Sequence, residues 1–525
     1  MKRGNEDSQL SRREYDLNMS DTSGAGSFAV AGADELAQRR MAKSSTQAPW
    51  RARAETPLSA RLFSSRVLAL NKGFAAWATA QLKKEPDVAI LEAARDYVSY
   101  ASALEQQFLT EHTDVLSFGS GDCGQLAHGM DDDRDTIVPK PRRILALRSK
   151  LITVVSCGGL HNAAVTADGL CYTWGCNDEG SLGRGGEEDV PQIVELPAKD
   201  DPVVQVAAGD TQTFAVTASG ACYGWGCYKD KEGKQWFDVG FDSSLKPKRK
   251  QTTPLLVFRA GVVIVRCGAA YNVALLSDGC ASTWGIGEIG ELGRPARDLK
   301  GADGEYDLAV VVGEHLTPGR VDLPGRCKVK AIGAGAYHSL YATESRVFAS
   351  GLNNYGQLGV GDSTDVKLPI SIPSLEGAGV VAVDGGQHHS LVLCGDGTVY
   401  AFGRADYGQL GIGQACTSTG NFVALPTEVK FVDAAKPAKR AHMTSISAGS
   451  NHNLVLTNKG AVWSWGYGDM NALGLGASRD EPEPKLVSFG GVVGTGDQAQ
   501  ATVTLVAGGG QHSVVCAHVK EFKAK

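Results

Sequence analysis

The chain has 525 residues, 42% hydrophobic and 21% charged, the balance of an ordinary globular protein and not of a fibrous or disordered one. No run of about 18 apolar residues occurs, so no membrane-spanning helix is expected, and the polar start MKRGNEDSQLSRREYD lacks the apolar stretch of a secretory signal. The net charge of −6 neither demands nor excludes a nucleic-acid partner, and twelve scattered cysteines in a chain this long read as reduced intracellular thiols, not a disulfide framework.

Residues 1–57 are polar and poor in large apolar groups, which predicts a disordered tail. Its basic residues come late, at Arg39, Arg40, Lys43, Arg51 and Arg53, with no acid between Glu35 and Glu55. Such a run reads either as a solvated tail or as a nuclear-import or phosphate-contacting segment. Residues 58–112 read as a helical segment, with two helices predicted over 58–84 and 86–110 and a break at Pro86. In the second, Ile90, Leu91, Ala94, Tyr97, Val98, Ala101, Leu104 and Phe108 make an apolar stripe at helical spacing. The stripe packs on a neighbouring element or docks a partner.

From residue 113 onward the chain repeats. An aromatic-Gly pair ends an alternating run at Phe118-Gly119, Trp174-Gly175, Trp225-Gly226, Trp284-Gly285, Phe402-Gly403 and Trp465-Gly466, with Ser350-Gly351 a degenerate seventh copy. A Gly-x-x-His series also has seven copies: CGGLHNAAV, AGDTQTFAV, CGAAYNVAL, AGAYHSLY, DGGQHHSLV, AGSNHNLVL and GGGQHSVV, two of which carry Gln212 and Tyr271 in place of the histidine. Between the two signatures lie hairpins turning at Asp168-Gly169, Asp396-Gly397 and Lys459-Gly460. Each unit is a small sheet that cannot bury both faces alone, so the units must stack on one another. The first aromatic-Gly has no Gly-x-x-His before it, and the last Gly-x-x-His has no aromatic-Gly after it. Joined, the two orphans complete one more unit and close a ring, which leaves no open stack edge. The expected fold is all-β: a seven-bladed propeller over 113–525, closed by N- and C-terminal strands in one blade.

The fuller unit, Gly-x-x-His followed by aromatic-Gly-x-Asn-x-x-Gly-x-Leu-Gly, resembles the repeat of the regulator of chromosome condensation family. WGCNDEGSLGRG (Trp174 to Gly185), SGLNNYGQLGVG (Ser350 to Gly361) and FGRADYGQLGIG (Phe402 to Gly413) carry the likeness, with FGSGDCGQL and WGIGEIGELGR fitting less fully. One unit departs from it. After Trp225-Gly226 the chain reads CYKDKEGKQWFDVG, without Gly-x-Leu-Gly, and Tyr228, Lys229, Asp230 and Gly233 match in order the family's β-wedge insertion.

The resemblance implies a guanine-nucleotide exchange factor for the small GTPase Ran, acting in the nucleus on chromatin without covalent chemistry and without a cofactor or metal of its own. Under it Tyr228 would supply bulk, Lys229 and Asp230 polar contacts, and Gly233 the turn of the wedge. Asp210, His388 and His512 stand at expected GTPase-binding positions, and Asp122 at a further one. Ala270 stands where the family has another functional Asp. Chromatin contact, through the acidic histone dimer of the nucleosome and DNA, is implied for the tail residues Arg39, Arg40 and Lys43 and for Arg294 and Arg297 in the long loop after Gly293. Importin is the implied partner of a basic segment. KPKRK, Lys246 to Lys250, is a second basic cluster, which reads as an import signal, a phosphate-contacting patch or a solvated loop. The histidines His161, His338 and His452, and Trp174, Trp225, Trp284 and Trp465, read as framework. The rival class is a propeller used only for binding, as a scaffold or a ubiquitin-ligase or trafficking adaptor. A light-sensing propeller would need tryptophans gathered on one face. Gly119-x-Gly121-x-x-Gly124 fits a dinucleotide fingerprint by letter but opens no helix. No phosphate-binding P-loop, zinc-ligand pairing or nucleophile elbow occurs.

Overall fold

The computed structural model describes residues 113–129, 136–148, 150–237, 247–413, 418–432, 442–489 and 500–520. The expectations for 1–57 and 58–112, Arg39, Arg40 and Lys43 among them, lie outside the described residues, as does Lys246.

Seven four-stranded antiparallel sheets and one two-stranded hairpin make up the described chain. In chain order, blade one spans Ile152–Val194, blade two Val203–Phe258, blade three Val262–Val321, blade four Ala331–Ser371, blade five Val380–Glu428 and blade six Met443–Leu486. Blade seven takes its two inner strands from Gln500–Gly508 and His512–Lys520 and its two outer strands from Thr113–Ser120 and Ile137–Arg143. Thr113 pairs with His518 and Gly119 with His512, so the two ends of the ring are sewn together by a β-ladder.

The repeat signatures are the joints between blades. His161 Nε2 lies 2.7 Å from Thr213 Oγ1, and Gln212 Nε2 donates to Gly268 O at 2.9 Å. The Tyr271 hydroxyl donates to Gly335 O at 3.1 Å. His338 meets Ser390 Oγ at 2.8 Å, His389 meets Asn453 Oδ1 at 2.8 Å, His452 meets Ser513 Oγ at 2.9 Å, and His512 meets Asn162 Oδ1 at 2.7 Å. Each blade therefore reaches the next through the same position, and the seventh reaches the first. The glycine three residues earlier has an equally local cause. A Cβ on Gly158, Gly209, Gly268, Gly335, Gly386, Gly449 or Gly509 would lie 2.2–2.8 Å from a carbonyl oxygen of the neighbouring blade.

The aromatic-Gly pair does a second job. Trp174, Trp225, Trp284 and Trp465 are fully buried. Trp174 Nε1 donates to Gln125 O, Trp225 to Ser181 O and Trp465 to Gln409 O, at 2.8–3.0 Å, each in the turn of the preceding blade. The indoles thus bury a large apolar area and still satisfy their one donor. The core is a series of clusters at blade interfaces, not one central mass. Among the described residues every cysteine is a free thiol.

Candidate functional site

In a four-stranded meander the first-to-second and third-to-fourth connections leave the sheet at the same end. Two loops per blade therefore share one face of the ring, the usual place for binding residues on a rigid scaffold. Blade two differs from the others on this face. Its third-to-fourth connection contains a two-stranded hairpin, Tyr228–Lys229 paired with Gln235–Trp236.

The root of this hairpin is core. Tyr228 and Phe237 are fully buried and Trp236 is 3% exposed, all packed in one cluster with Phe214 and Trp284. Tyr228 and Phe237 stack at 5.4 Å, and the Tyr228 hydroxyl lies 2.9 Å from the side-chain amide of Asn272. Where blades one, four and five set a Gly-x-Leu-Gly turn against the next blade's ring, blade two sets these aromatics against Trp284. Tyr228 thus anchors the wedge and does not supply bulk at a contact surface, because its ring has no route to solvent. Asp230 is likewise turned inward. Its Oδ1 accepts from the Glu232 and Lys234 amides at 3.0 and 2.9 Å, and its Oδ2 from Trp236 Nε1 at 3.0 Å and the Tyr306 hydroxyl at 2.7 Å. Burial alone would raise this carboxyl, but the hydrogen bonds outweigh it and hold the group below the usual carboxylate range. Gly233 has φ 78° with open space where a Cβ would stand, so the turn's backbone, not crowding, selects glycine. Lys229 forms an ion pair with Glu179 of blade one at 2.6 Å. What the hairpin shows to solvent is Lys229 and the tip Lys231, Glu232, Gly233 and Lys234.

Asp210 lies on the same face, in the first-to-second connection of blade two. It is open to water yet crowded by protein around the loop that joins the two inner strands. This crowding pushes its carboxyl up to about 6 against the pull of Lys229. His388 occupies the corresponding loop of blade five. Its ring stacks on Tyr337 of blade four at 5.7 Å and meets Tyr355 at 5.2 Å. Burial first, then Arg404, pushes it down to about 4, so it is neutral, and its Nδ1 has no hydrogen-bond partner among the described residues. Asp122 is exposed in the third-to-fourth connection of blade seven, again on this face.

Three further expected site residues are placed elsewhere or otherwise employed. His512 is fully buried, occupies the blade-joining position of the repeat, and has burial pushing it down to about 3. It is framework, because its ring is spent on Asn162. Arg294 is half-buried and donates to Thr283 Oγ1, Thr283 O and Thr317 O at 3.2 Å, closing its own loop just as Arg184 does in blade one. Arg297 is exposed but is paired with Glu314 at 2.6 Å. Neither is a free basic arm. Ala270 packs partly buried against the cluster beneath the wedge, and its carbonyl accepts from the Ile286 amide at 2.7 Å.

The face also holds a row that sequence reasoning passed over. Arg404 lies over Tyr355 at 5.0 Å and over Tyr407 at 4.9 Å, and Tyr407 meets Tyr467 at 5.1 Å. Arg404 is fixed by Asp406 at 2.8 Å. Tyr337, Tyr355, Arg404, Tyr407 and Tyr467 thus extend the His388 site across blades four to six. The signal was present, since Asn354-Tyr355 and Asp406-Tyr407 fall at one position of the repeat.

Seven blades joined at Gly-x-x-His positions and capped by aromatic-Gly pairs define a propeller of the repeat type that the sequence resembles. The chain belongs to the RCC1-like domain family, whose model matches residues 114–515. It is 32% identical over 450 residues to the regulator of chromosome condensation of Mus musculus, covering 83% of this chain and 97% of that one. It is 31% identical over 389 residues to the ultraviolet-B receptor UVR8 of Arabidopsis thaliana, covering 73% and 80%. Among solved structures it resembles Prp20p of Saccharomyces cerevisiae, with a TM-score of 0.67 at 27% identity, covering 79% of this chain and 95% of that one. That crystal structure was described together with binding to Gsp1p and histones.

Proposed function

We propose that this protein is a guanine-nucleotide exchange factor for the small GTPase Ran, working at chromatin in the nucleus. The observation that carries the reading is the blade-two hairpin. It replaces the ordinary repeat turn, is anchored by buried rings, and presents a rigid, charged tip on the face that also holds Asp210 and His388. The likeness to regulators of chromosome condensation supports it, as does Prp20p, described with Gsp1p and histones.

Exchange of this kind is linkage. A factor that binds the nucleotide-free GTPase more tightly than the loaded form lowers nucleotide affinity by the same ratio. The hairpin, with Lys229 at its side and Lys231 and Lys234 at its tip, would press on the phosphate-binding region of the GTPase and loosen its hold on phosphate and Mg²⁺. Asp210 and the neutral His388 would hold the partner across the ring. Contact with the histone dimer and DNA falls to the tail residues Arg39, Arg40 and Lys43, and import by an importin to a basic segment. The crystal structure of Kap60 bound to yeast RCC1 is in keeping with the last point.

The test is release of a fluorescent GDP analogue from Ran with catalytic amounts of the full chain. Wild type should accelerate release, and both Lys231→Ala/Lys234→Ala and Asp210→Ala should lose about tenfold or more in kcat/KM. Release at the buffer rate by folded wild type would overturn the reading and leave the propeller as a binding module.

A further inference from the structure

Blade three carries a long third-to-fourth connection, residues 286–318, of which the part beyond the Gly-x-Leu-Gly turn, residues 295–318, has no counterpart in the repeat. The sequence suggests a chromatin-contacting arm, but the structure turns it toward the wedge. Its second half is built into the core: Asp307 caps a short helical turn by accepting from the Ala309 and Val310 amides at 3.0 and 3.2 Å. Val311 and Leu316 are buried in the same cluster as Tyr228, Trp236 and Phe237. Its first half forms a tight hairpin, with Lys300 bridged to Tyr306 and the Gly301 amide donating to Glu305 O at 2.9 Å. This small hairpin lies against the wedge hairpin.

The contacts between them are dense and centre on Tyr306, with two ion pairs beside it. The Tyr306 hydroxyl donates to Asp230 Oδ2 at 2.7 Å and lies 3.2 Å from Glu232 Oε2. Its ring meets Trp236 at 5.1 Å, and Lys234 Nζ sits 3.5 Å from the ring centre. Lys300 pairs with Glu232 at 2.6 Å, and Lys231 pairs with Glu288 from the start of the same connection at 2.9 Å. Every charged residue of the wedge tip is therefore held from blade three. A two-stranded hairpin is marginal in water by itself, so without these contacts the tip would sample many conformations.

We propose that residues 286–318 are a strut that holds the wedge in one conformation, and that Tyr306 is the positioning residue through which the strut acts. The inference deepens the exchange reading and rests on it for its consequence, but not for its structural content. A loose tip would still allow the partner to dock on the rest of the face while working less well on the bound nucleotide. Loss of the strut should therefore appear in kcat more than in KM.

Two measurements on the full chain separate the possibilities. In Tyr306→Ala the amides of Glu232 and Lys234, which donate to Asp230, should exchange hydrogen at least about tenfold faster, while the blade-two strands stay protected. Tyr306→Phe keeps the ring contacts and should restore part of the protection. Lys300→Ala, a surface change that spares the core, should raise exchange in Glu232 more modestly. Unchanged protection in both Tyr306→Ala and Lys300→Ala would overturn the strut. GDP release from Ran should then show Tyr306→Ala lowered about tenfold in kcat with KM moved less than about threefold, and Tyr306→Phe in between. Faster amide exchange with unchanged kcat would overturn the positioning role. If wild type releases no GDP from Ran, the partner reading fails, while amide exchange still decides the strut.

Discussion

Glu291 sits in the turn where Gln125, Gln357 and Gln409 sit in other blades, and it does the same job. Its carboxylate accepts from the Ile289 amide at 2.7 Å, as the glutamines accept from the Cys123, Tyr355 and Tyr407 amides at 2.8–2.9 Å. The glutamines are neutral; Glu291 is only 5% exposed, and burial pushes its carboxyl up to about 7. A folded-state pKa above the unfolded one means that the native state holds the extra proton. Stability is then full below about 4.5 and falls as pH rises toward 7. Glu291→Gln should thus stabilise the protein at pH 8 by up to about 3 kcal/mol and change little at pH 4.5. Urea midpoints at the two pH values check this; an equal effect at both would refute it. The sequence shows Glu291 only as a variant letter of a repeat, since its titration depends on burial that the letters do not display. The same limit governs the histidines. GGQHH contains two of them, and only the fold shows that His389 joins blades while His388 lies in a loop on the same face as Asp210. His512, expected among the functional ones, belongs with His389.

At the scale of strands, the hairpins were legible because a glycine turn and alternation persist in most copies, three of them with Asp-Gly, whereas the outer strands were not. Their regular feature is a proline within a bulge. Blade seven has Pro139 and Pro141 between its paired residues Val138 and Arg142, blade two Pro254 between Gln251 and Leu255, and blade four Pro369 between Val366 and Ile370. Blade five has Pro426 between Val423 and Thr427, and blade six Pro482 and Pro484 between Glu481 and Lys485. Each bulge lies beside the glycine of an aromatic-Gly pair, whose φ lies between 101° and 114° throughout the ring. Proline is tolerated there because the ladder needs no donor at the bulge, and it blunts an edge that would otherwise template another strand. Pro369→Val should restore that edge, since Leu368 and Ile370 on either side are 51% and 36% exposed. We expect a monomer at low concentration and self-association in the tens of micromolar range, roughly, by light scattering. A variant that stays monomeric at every concentration would show that the bulge suffices without the proline. The wedge was legible for the opposite reason, as a break in a strong pattern. Its strut was not, because a loop absent from the repeat offers nothing to compare with.

For the whole molecule, the ring closes through one circuit of hydrogen bonds, and five of its seven members are histidines. Burial pushes His161, His389 and His452 down to about 4 and His338 and His512 down to about 3. All five are neutral in the folded ring and take up protons near 6.5 once unfolded. The unfolded chain therefore binds more protons between about 6.5 and 4, and stability falls as pH drops through that window. Each histidine contributes a slope of about 1.4 kcal/mol per pH unit when fully engaged. Asp210 and Glu291, pushed up to about 6 and 7, work in the opposite sense over part of the window. The net uptake on unfolding near pH 5 should accordingly be about three protons from these groups. Because each histidine ties two different blades, protonating one opens a joint of the ring and exposes the edges that closure protects. Acid should consequently unfold the propeller as a unit, not blade by blade. His452→Gln, which places at blade six the residue blade two already uses as Gln212, should keep the joint and remove about one proton from the slope. Urea midpoints from pH 7.5 to 5, followed by tryptophan fluorescence and far-ultraviolet dichroism together, test both statements. Coincident transitions with a reduced slope in the variant support a closed ring tied by neutral histidines. An unchanged slope, or transitions that separate by probe, would show that the blades hold together by packing alone.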